Sequence, residues 1–219
     1  NAITVLDFTA DFTDSKKVTL TWKPATKAPE GGWLLLYSID GSATQELKCE
    51  KGNTAALLYS VPGATYTFTL QAADSTPVLG GNLVCKTDAA EKFSAFGVTA
   101  DSMEFKMCKT PKSKNWDRYD LKKSDYTTTF KTGQKASFLV KLSKNPSTSN
   151  TSVTELFVIR DENGTIVSTA TTTQKWKSMW TKKYCELDIP VMPKAAGKYV
   201  VSVYFNGSLA NEQSFTVTE

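Results

Sequence analysis

Apolar and polar residues alternate with a period of two in short runs that recur every 8 to 15 residues along the chain. Val18, Leu20 and Trp22, for example, share one parity and are separated by threonines, which are abundant throughout. Successive side chains point to opposite faces of a strand, and short alternating runs at this spacing are typical of a β-sandwich or β-barrel. Long segments with the 3.6-residue period of an amphipathic helix are absent from the sequence. We therefore predict an all-β fold.

Turn residues divide the pattern into strands. Asp40-Gly41, Pro62-Gly63 and Gly80-Gly81 mark turns in the first half, and Asp161–Gly164 and Asn206-Gly207 mark hairpins in the second. The strands predicted before residue 90 are 18–22, 33–40, 45–49, 55–59, 66–70 and 82–86. Those predicted after it are 102–108, 126–131, 135–142, 153–160, 165–173, 184–189, 197–205 and 209–218.

Length and charge predict two domains. A chain of 219 residues accommodates two units of about 100 residues, and residues 89–94 have the composition of a short linker. Residues 1–90 carry 7 basic and 9 acidic side chains, whereas residues 91–219 carry 19 and 13. We predict domains at 1–90 and 91–219, the second with a basic insertion at 109–124 that shows no periodicity.

Three features of the first half occur together: Trp22, the pair Leu35 and Tyr37, and the motif V-P-G-x-x-Y-x-F-x-L at 61–70. In this combination residues 3–88 resemble a fibronectin type III domain. The resemblance implies that Trp22 lies in the core. It also implies that Tyr66 closes a corner of the sandwich through its hydroxyl.

The same resemblance implies that Cys49 and Cys85 lie in strands at opposite edges of a four-stranded sheet. Three strand spacings of about 4.8 Å separate such edges, which exceeds the roughly 7 Å between Cα atoms that a disulfide tolerates. We therefore predict that Cys49 and Cys85 are not bridged. For Cys108 and Cys185 the sequence leaves the question of a disulfide open.

The second half contains P-x-x-A-G-K-Y-x-V-x-V at 193–203, followed by a hairpin at Phe205-Asn206-Gly207. Residues 95–219 resemble an immunoglobulin-like β-sandwich of the kind common in extracellular bacterial modules. Together the two resemblances imply two tandem β-sandwiches in a secreted or cell-surface protein.

The chain has no histidine, which excludes a Ser-His-Asp triad, a Cys-His dyad and a histidine-containing zinc site. Paired carboxylates can still hydrolyse glycosides, and Glu155, Glu186 and Asp188 lie in or beside predicted strands. Nothing in their sequence context predicts a raised pKa. We predict no enzymatic activity and no cofactor.

Aromatic residues recur every four positions at Trp176, Trp180 and Tyr184, and would share one face of a single strand. Flat rings beside lysines suit an acidic glycan or a protein partner; the alternative is that Trp176 or Trp180 fills the core. The predicted ligand-binding residues are Trp116, Tyr119, Trp176, Trp180, Lys177 and Lys182.

Ten lysines and Arg118 lie between residues 104 and 144. Clustered cations bind phosphate backbones, acidic glycans or anionic cell-wall polymers, although a solvated face is an equally simple explanation. Because arginine is nearly absent, nucleic acid is not a predicted partner. Asp161, Glu162 and Asn163 offer too few oxygens for calcium, so no metal site is predicted.

These observations predict a non-catalytic extracellular interaction module, for adhesion or for binding a polysaccharide or surface protein. The alternatives are a structural spacer between neighbouring domains of a larger chain, and an accessory region of a carbohydrate-active enzyme. No apolar run approaches the roughly 20 residues that a membrane span needs, so none is predicted.

Overall fold

The computed structural model describes residues 1–111, 126–177 and 184–219. Within these ranges the chain forms strands and turns, with a single 3-10 turn at Ala100–Ser102. No helix in the described part has the length and hydrophobicity to cross a membrane. The chain divides into two compact units, Asn1–Ala90 (unit 1) and Glu91–Glu219 (unit 2). The predicted fold class, all-β with tandem β-sandwiches, is confirmed.

Unit 1 is built from two four-stranded sheets. Its strands are β1 (Ile3–Asp11), β2 (Lys17–Pro24), β3 (Trp33–Ile39), β4 (Gln45–Cys49), β5 (Ala55–Tyr59), β6 (Thr65–Ala72), β7 (Val78–Leu79) and β8 (Asn82–Lys86). The first sheet has the order β5-β2-β1-β7 and the second the order β4-β3-β6-β8. Alternation fixes the faces of β2. Val18, Leu20 and Trp22 are buried, and the two threonines between them and the lysines that flank them point outward.

Two tryptophans form the centre of the unit 1 core. Trp22 and Trp33 are 3% and 0% exposed, and their ring centroids lie 6.1 Å apart in an edge-on arrangement. Phe8 makes a second edge-on contact with Trp22 at 6.3 Å. The prediction that Trp22 is a core residue is confirmed.

Tyr66 closes the corner between β5 and β6. Its hydroxyl donates to the Tyr59 carbonyl at 2.9 Å and accepts the Val61 backbone N–H at 2.7 Å. The ring of Tyr66 itself is fully buried. Burial raises the pKa of its hydroxyl to about 12. The corner predicted from the motif at 61–70 is confirmed, and unit 1 is a β-sandwich of two four-stranded sheets.

Cys49 and Cys85 lie in β4 and β8, the two edge strands of one sheet, as predicted. Both thiols are free. Burial raises the pKa of each thiol above its ordinary value. They therefore remain protonated, and poorly nucleophilic, near neutral pH.

The described part of unit 2 contains ten strands. Their bounds are β9 (Ser94–Ala95), β10 (Val98–Thr99), β11 (Met103–Lys109), β12 (Thr129–Lys131), β13 (Ala136–Leu142), β14 (Thr151–Asp161), β15 (Ile166–Trp176), β16 (Tyr184–Asp188), β17 (Gly197–Phe205) and β18 (Ser208–Thr218). β9 and β10 form a small hairpin. The main sheets have the orders β11-β13-β16 and β12-β18-β17-β14-β15.

The two units share one strand connectivity. The principal strands are those that remain when the short strands β7, β9, β10 and β12 are set aside. In each unit, the first, second and fifth principal strands form one sheet and the other four form the second sheet. Unit 2 repeats the corner as well, because the Tyr199 hydroxyl donates to the Ala195 carbonyl at 2.8 Å. β12 is an addition that pairs in parallel with β18.

Turn chemistry sets the hairpins of unit 2. Asn206 and Gly207 have φ values of 49° and 83°, the left-handed conformation that a two-residue hairpin requires. The Asp161 carboxylate accepts the backbone N–H groups of Asn163 and Thr165 at 2.9 and 3.0 Å, which closes the β14–β15 turn. Both predicted hairpins are confirmed.

The predicted linker at 89–94 is partly wrong. Phe93 is 2% exposed in the core of unit 2, where it packs edge-on against Phe205 at 5.3 Å. Its backbone N–H donates to the Leu209 carbonyl. Most of the predicted insertion at 109–124 lies outside the described residues.

Candidate functional site

Trp176 is a core residue and not an exposed ligand platform. It is 2% exposed and packs edge-on against Phe93 and Phe205, with ring centroids 5.5 and 5.3 Å away. Phe96 adds a tilted contact at 6.0 Å. Of the two alternatives that the sequence leaves open for Trp176, the structure shows the core position, because three phenylalanine rings of unit 2 surround its ring. The prediction of Trp176 as a ligand-binding residue is therefore wrong.

Trp176 and Tyr184 do not share a single strand, so the arrangement in which the rings would lie on one face of it does not occur. Trp176 is the last residue of β15 and Tyr184 is the first of β16, and these strands belong to different sheets. Lys177 follows Trp176 directly and is exposed, as is Lys175 before it. The other predicted site residues, Trp116, Tyr119, Trp180 and Lys182, lie outside the described residues.

The described lysines of the basic stretch are solvent-facing. Lys106 pairs with Glu104 at 3.2 Å, and its ammonium lies 5.4 Å from the centre of the Tyr126 ring. Further exposed lysines are Lys109, Lys131, Lys135, Lys141 and Lys144. They are spread over β11, β12, β13 and the adjoining turns, so this part of the stretch is a dispersed positive surface.

A chain of hydroxyl groups crosses the three-stranded sheet of unit 2. The Thr110 and Ser137 hydroxyls lie 2.8 Å apart, and the Ser137 hydroxyl donates to Asp188 at 2.8 Å. Cys108 is fully buried beside them and its thiol donates to the Ser137 carbonyl at 3.6 Å, so it is not in a disulfide. The network joins β11, β13 and β16 and has a structural role.

Glu155, which the sequence places in or beside a strand, is buried in the interior of unit 2. It is 4% exposed and shares a face of β14 with the core residues Val153 and Phe157. Burial raises the pKa of its carboxyl to about 7, although a hydrogen bond of 2.8 Å from the Thr172 hydroxyl lowers that pKa. The expectation of an ordinary pKa was wrong; the parity of Glu155 within VTELFVI was the signal that could have revealed its burial.

No cluster of metal-ligating side chains occurs in the described ranges. Asp161 uses its carboxylate to cap the β14–β15 turn, in agreement with the interpretation of DENG as a turn.

Unit 1 contains a groove of about 380 Å³ beside the turn between β6 and β8. Hydroxyl and amide side chains line it, among them Thr69, Gln71, Ser75, Thr76 and Asn82. None of its lining residues is charged, so it offers no counter-charge to an ionic ligand.

No protein-family model matches the chain, and no curated protein matches it. Among solved structures, Pseudomonas fluorescens alkylpurine DNA glycosylase AlkC, bound to DNA containing an abasic site analog, matches at 12% identity and a TM-score of 0.28. That match covers 42% of this chain and 28% of the glycosylase chain.

Two further solved structures match over 100% of this chain. The chicken CNTN1 FN1-FN3 domains match at 11% identity and a TM-score of 0.33, over 68% of their length. A two-domain fibronectin type III segment of chicken tenascin matches at 15% identity and a TM-score of 0.29, over 98% of its length. The description of unit 1 as a β-sandwich rests on its own two sheets and their strand order.

Proposed function

We propose that this chain is a non-catalytic extracellular interaction module whose unit 2 binds an acidic polysaccharide. The observation that carries the proposal lies at the end of β15. There Trp176 points into the core while its neighbours Lys175 and Lys177 are exposed. The buried ring anchors the backbone, so the two ammonium groups project from a fixed position.

Charge favours a polyanion as the ligand. Unit 2 carries 19 basic and 13 acidic residues, and its described lysines face solvent. Lysine is a compact point charge without the bidentate geometry of arginine. Such charges suit a repeating anionic polymer more than a ligand with one defined shape. Trp180 and Lys182 follow within five residues of Lys177 in the sequence, and we include them in the proposal as candidate ligand contacts.

Binding of the full chain to immobilised heparin, a sulfated polysaccharide, tests the proposal, with uncharged dextran as the reference polymer. The double variant Lys175→Gln/Lys177→Gln should bind several-fold more weakly at low salt, and raised salt should weaken the parent in the same way. The matched control is Lys17→Gln/Lys23→Gln, which removes two exposed lysines from β2 of unit 1. Unchanged heparin binding by the Lys175/Lys177 variant would contradict the proposal.

A structural spacer is the second candidate. It is favoured by the burial of Trp176, because a ring proposed for ligand contact serves packing instead. A stable parent chain that binds neither heparin nor dextran would support the spacer.

A further inference from the structure

β15 is the edge strand of the five-stranded sheet and is held to the core mainly at its two ends. Ile166 and Trp176 are 8% and 2% exposed. Between them, the residues on the inner face are small or polar, namely Ser168, Ala170, Thr172 and Gln174. The middle of the strand therefore contributes little apolar contact, and its backbone bonds to β14 provide most of its attachment.

Glu155 lies beside this middle section, on the neighbouring strand β14. It pairs directly with Thr172 of β15 on one side and with Phe205 of β17 on the other. One carboxyl oxygen accepts the Thr172 hydroxyl at 2.8 Å, and Oε1 is buried without a partner among the described residues. Gln174, diagonal to Glu155 across the pair, likewise has its Oε1 buried and without a described donor. A neutral carboxyl supplies an O–H donor to such a site, and a carboxylate supplies none.

Charged side chains on the elements around Glu155 point elsewhere. Lys175, Arg160 and Glu212 lie on the outer face of its own sheet, or at the far end of β14. In the facing sheet, Glu104, Lys106, Lys141, Glu186 and Asp188 alternate with the core residues and lie on that sheet's outer face. Within the described ranges, no cation therefore compensates an ionised Glu155, and burial raises its pKa to about 7.

We propose that Glu155 is a pH-dependent latch for β15. By this we mean that β15 stays paired with β14 while the carboxyl is neutral, and that ionisation of the carboxyl releases the middle of the strand from β14. Separation of residues 168–174 from β14 admits water to the carboxylate and removes the cost of a buried, unpaired charge. Ile166 and Trp176 hold the strand ends in place, so the release is local. The inference is independent of polysaccharide binding.

The sign of the effect follows from proton linkage. Opening moves Glu155 from a pKa of about 7 towards its ordinary 4.5, so the open state binds fewer protons. The opening equilibrium should increase by about tenfold per pH unit between these two values and level off outside them.

Amide hydrogen exchange of the full chain, corrected for the intrinsic pH dependence of exchange, tests the latch. Protection of the β15 amides bonded to β14 should fall several tens of fold between pH 5 and pH 8. Glu155→Gln, which is neutral and similar in shape, should abolish this dependence. Glu162→Gln is the matched control, since it removes an exposed carboxylate from the turn of the same hairpin, and it should behave like the parent.

Equal protection of the parent at pH 5 and pH 8 would overturn the proposal, as would a dependence that persists in Glu155→Gln. If that variant does not fold, a ¹³C titration of the glutamate carboxyls in the parent decides. A buried carboxyl that titrates above pH 6 supports the latch, whereas titration of all glutamates below pH 5 refutes it.

Discussion

Two inward-facing side chains of unit 2, Trp176 and Glu155, have opposite effects on its stability. Trp176 joins an aromatic cluster with Phe93 and Phe205 and removes a large apolar surface from water. Glu155 puts a carboxyl into the same interior with one hydrogen bond from Thr172. The first stabilises the sandwich at every pH, and the contribution of the second depends on its protonation.

Truncation of Trp176 tests its place in the core. Trp176→Ala should lower the free energy of unfolding of unit 2 by about 3–5 kcal/mol, because it leaves a large cavity among aromatic rings. Lys177→Ala, at the exposed neighbouring position, should change it by less than about 0.5 kcal/mol. Urea denaturation monitored by NMR signals of unit 2 measures both. A loss below about 1 kcal/mol for Trp176→Ala would be inconsistent with the burial described here.

Under the proposed function, Trp180→Ala should instead lose polysaccharide binding and keep stability.

Glu155 predicts how stability depends on pH. Below pH 4.5 the carboxyl is protonated in both the folded and unfolded chain, so it carries no penalty. Between 4.5 and its folded pKa of about 7, only the unfolded chain releases the proton, and stability falls as pH rises; above that it levels off. The total loss should be about 3 kcal/mol.

Glu155→Gln should therefore be more stable than the parent at pH 8, and its stability should change less between pH 5 and pH 8. Urea denaturation at several pH values measures this, with Glu162→Gln as the control. If the parent becomes more stable as pH rises through this window while Glu155→Gln does not, the assignment of Glu155 is wrong.

At the scale of elements, both units fix the start of the sixth principal strand with a tyrosine hydroxyl. Tyr66 makes two backbone hydrogen bonds, to the Tyr59 carbonyl and from the Val61 N–H. Tyr199 makes one, to the Ala195 carbonyl. The corner of unit 1 is thus tied by two hydrogen bonds to the segment that precedes its turn.

Tyr66→Phe should accordingly cost more than Tyr199→Phe. The first leaves the Val61 N–H, in a buried residue, without its acceptor and should lower the stability of unit 1 by about 1–3 kcal/mol. The second loses one bond, worth about 1 kcal/mol. Denaturation monitored separately for each unit compares them, and a larger effect in unit 2 would contradict this account.

Elements with a strong period of two could be predicted from the sequence, and those that depend on tertiary pairing could not. The predicted strands 45–49, 55–59, 82–86 and 197–205 match β4, β5, β8 and β17. The two-residue strands β7, β9 and β10 have no local pattern, because their pairing partners alone define them. Alternation also separates two faces without saying which is buried. For this reason the core position of Trp176 was one of two open alternatives, and that of Glu155 was missed.

At the scale of the whole molecule, the two units have the same strand connectivity but a different balance of charged residues. Unit 1 has more acidic than basic residues, and unit 2 has an excess of six basic residues. Because the connectivity is shared, the described parts of the two units differ in their side chains and in the short strands β7, β9, β10 and β12. The proposed binding role of unit 2 follows from that difference in charge.

A glycan array probed with the intact chain tests this role most directly. The intact chain should bind sulfated and uronic-acid glycans, should lose that binding in high salt, and should bind neutral glycans of the same length only weakly. Equal binding to neutral and acidic glycans, or binding to none of them, would contradict it.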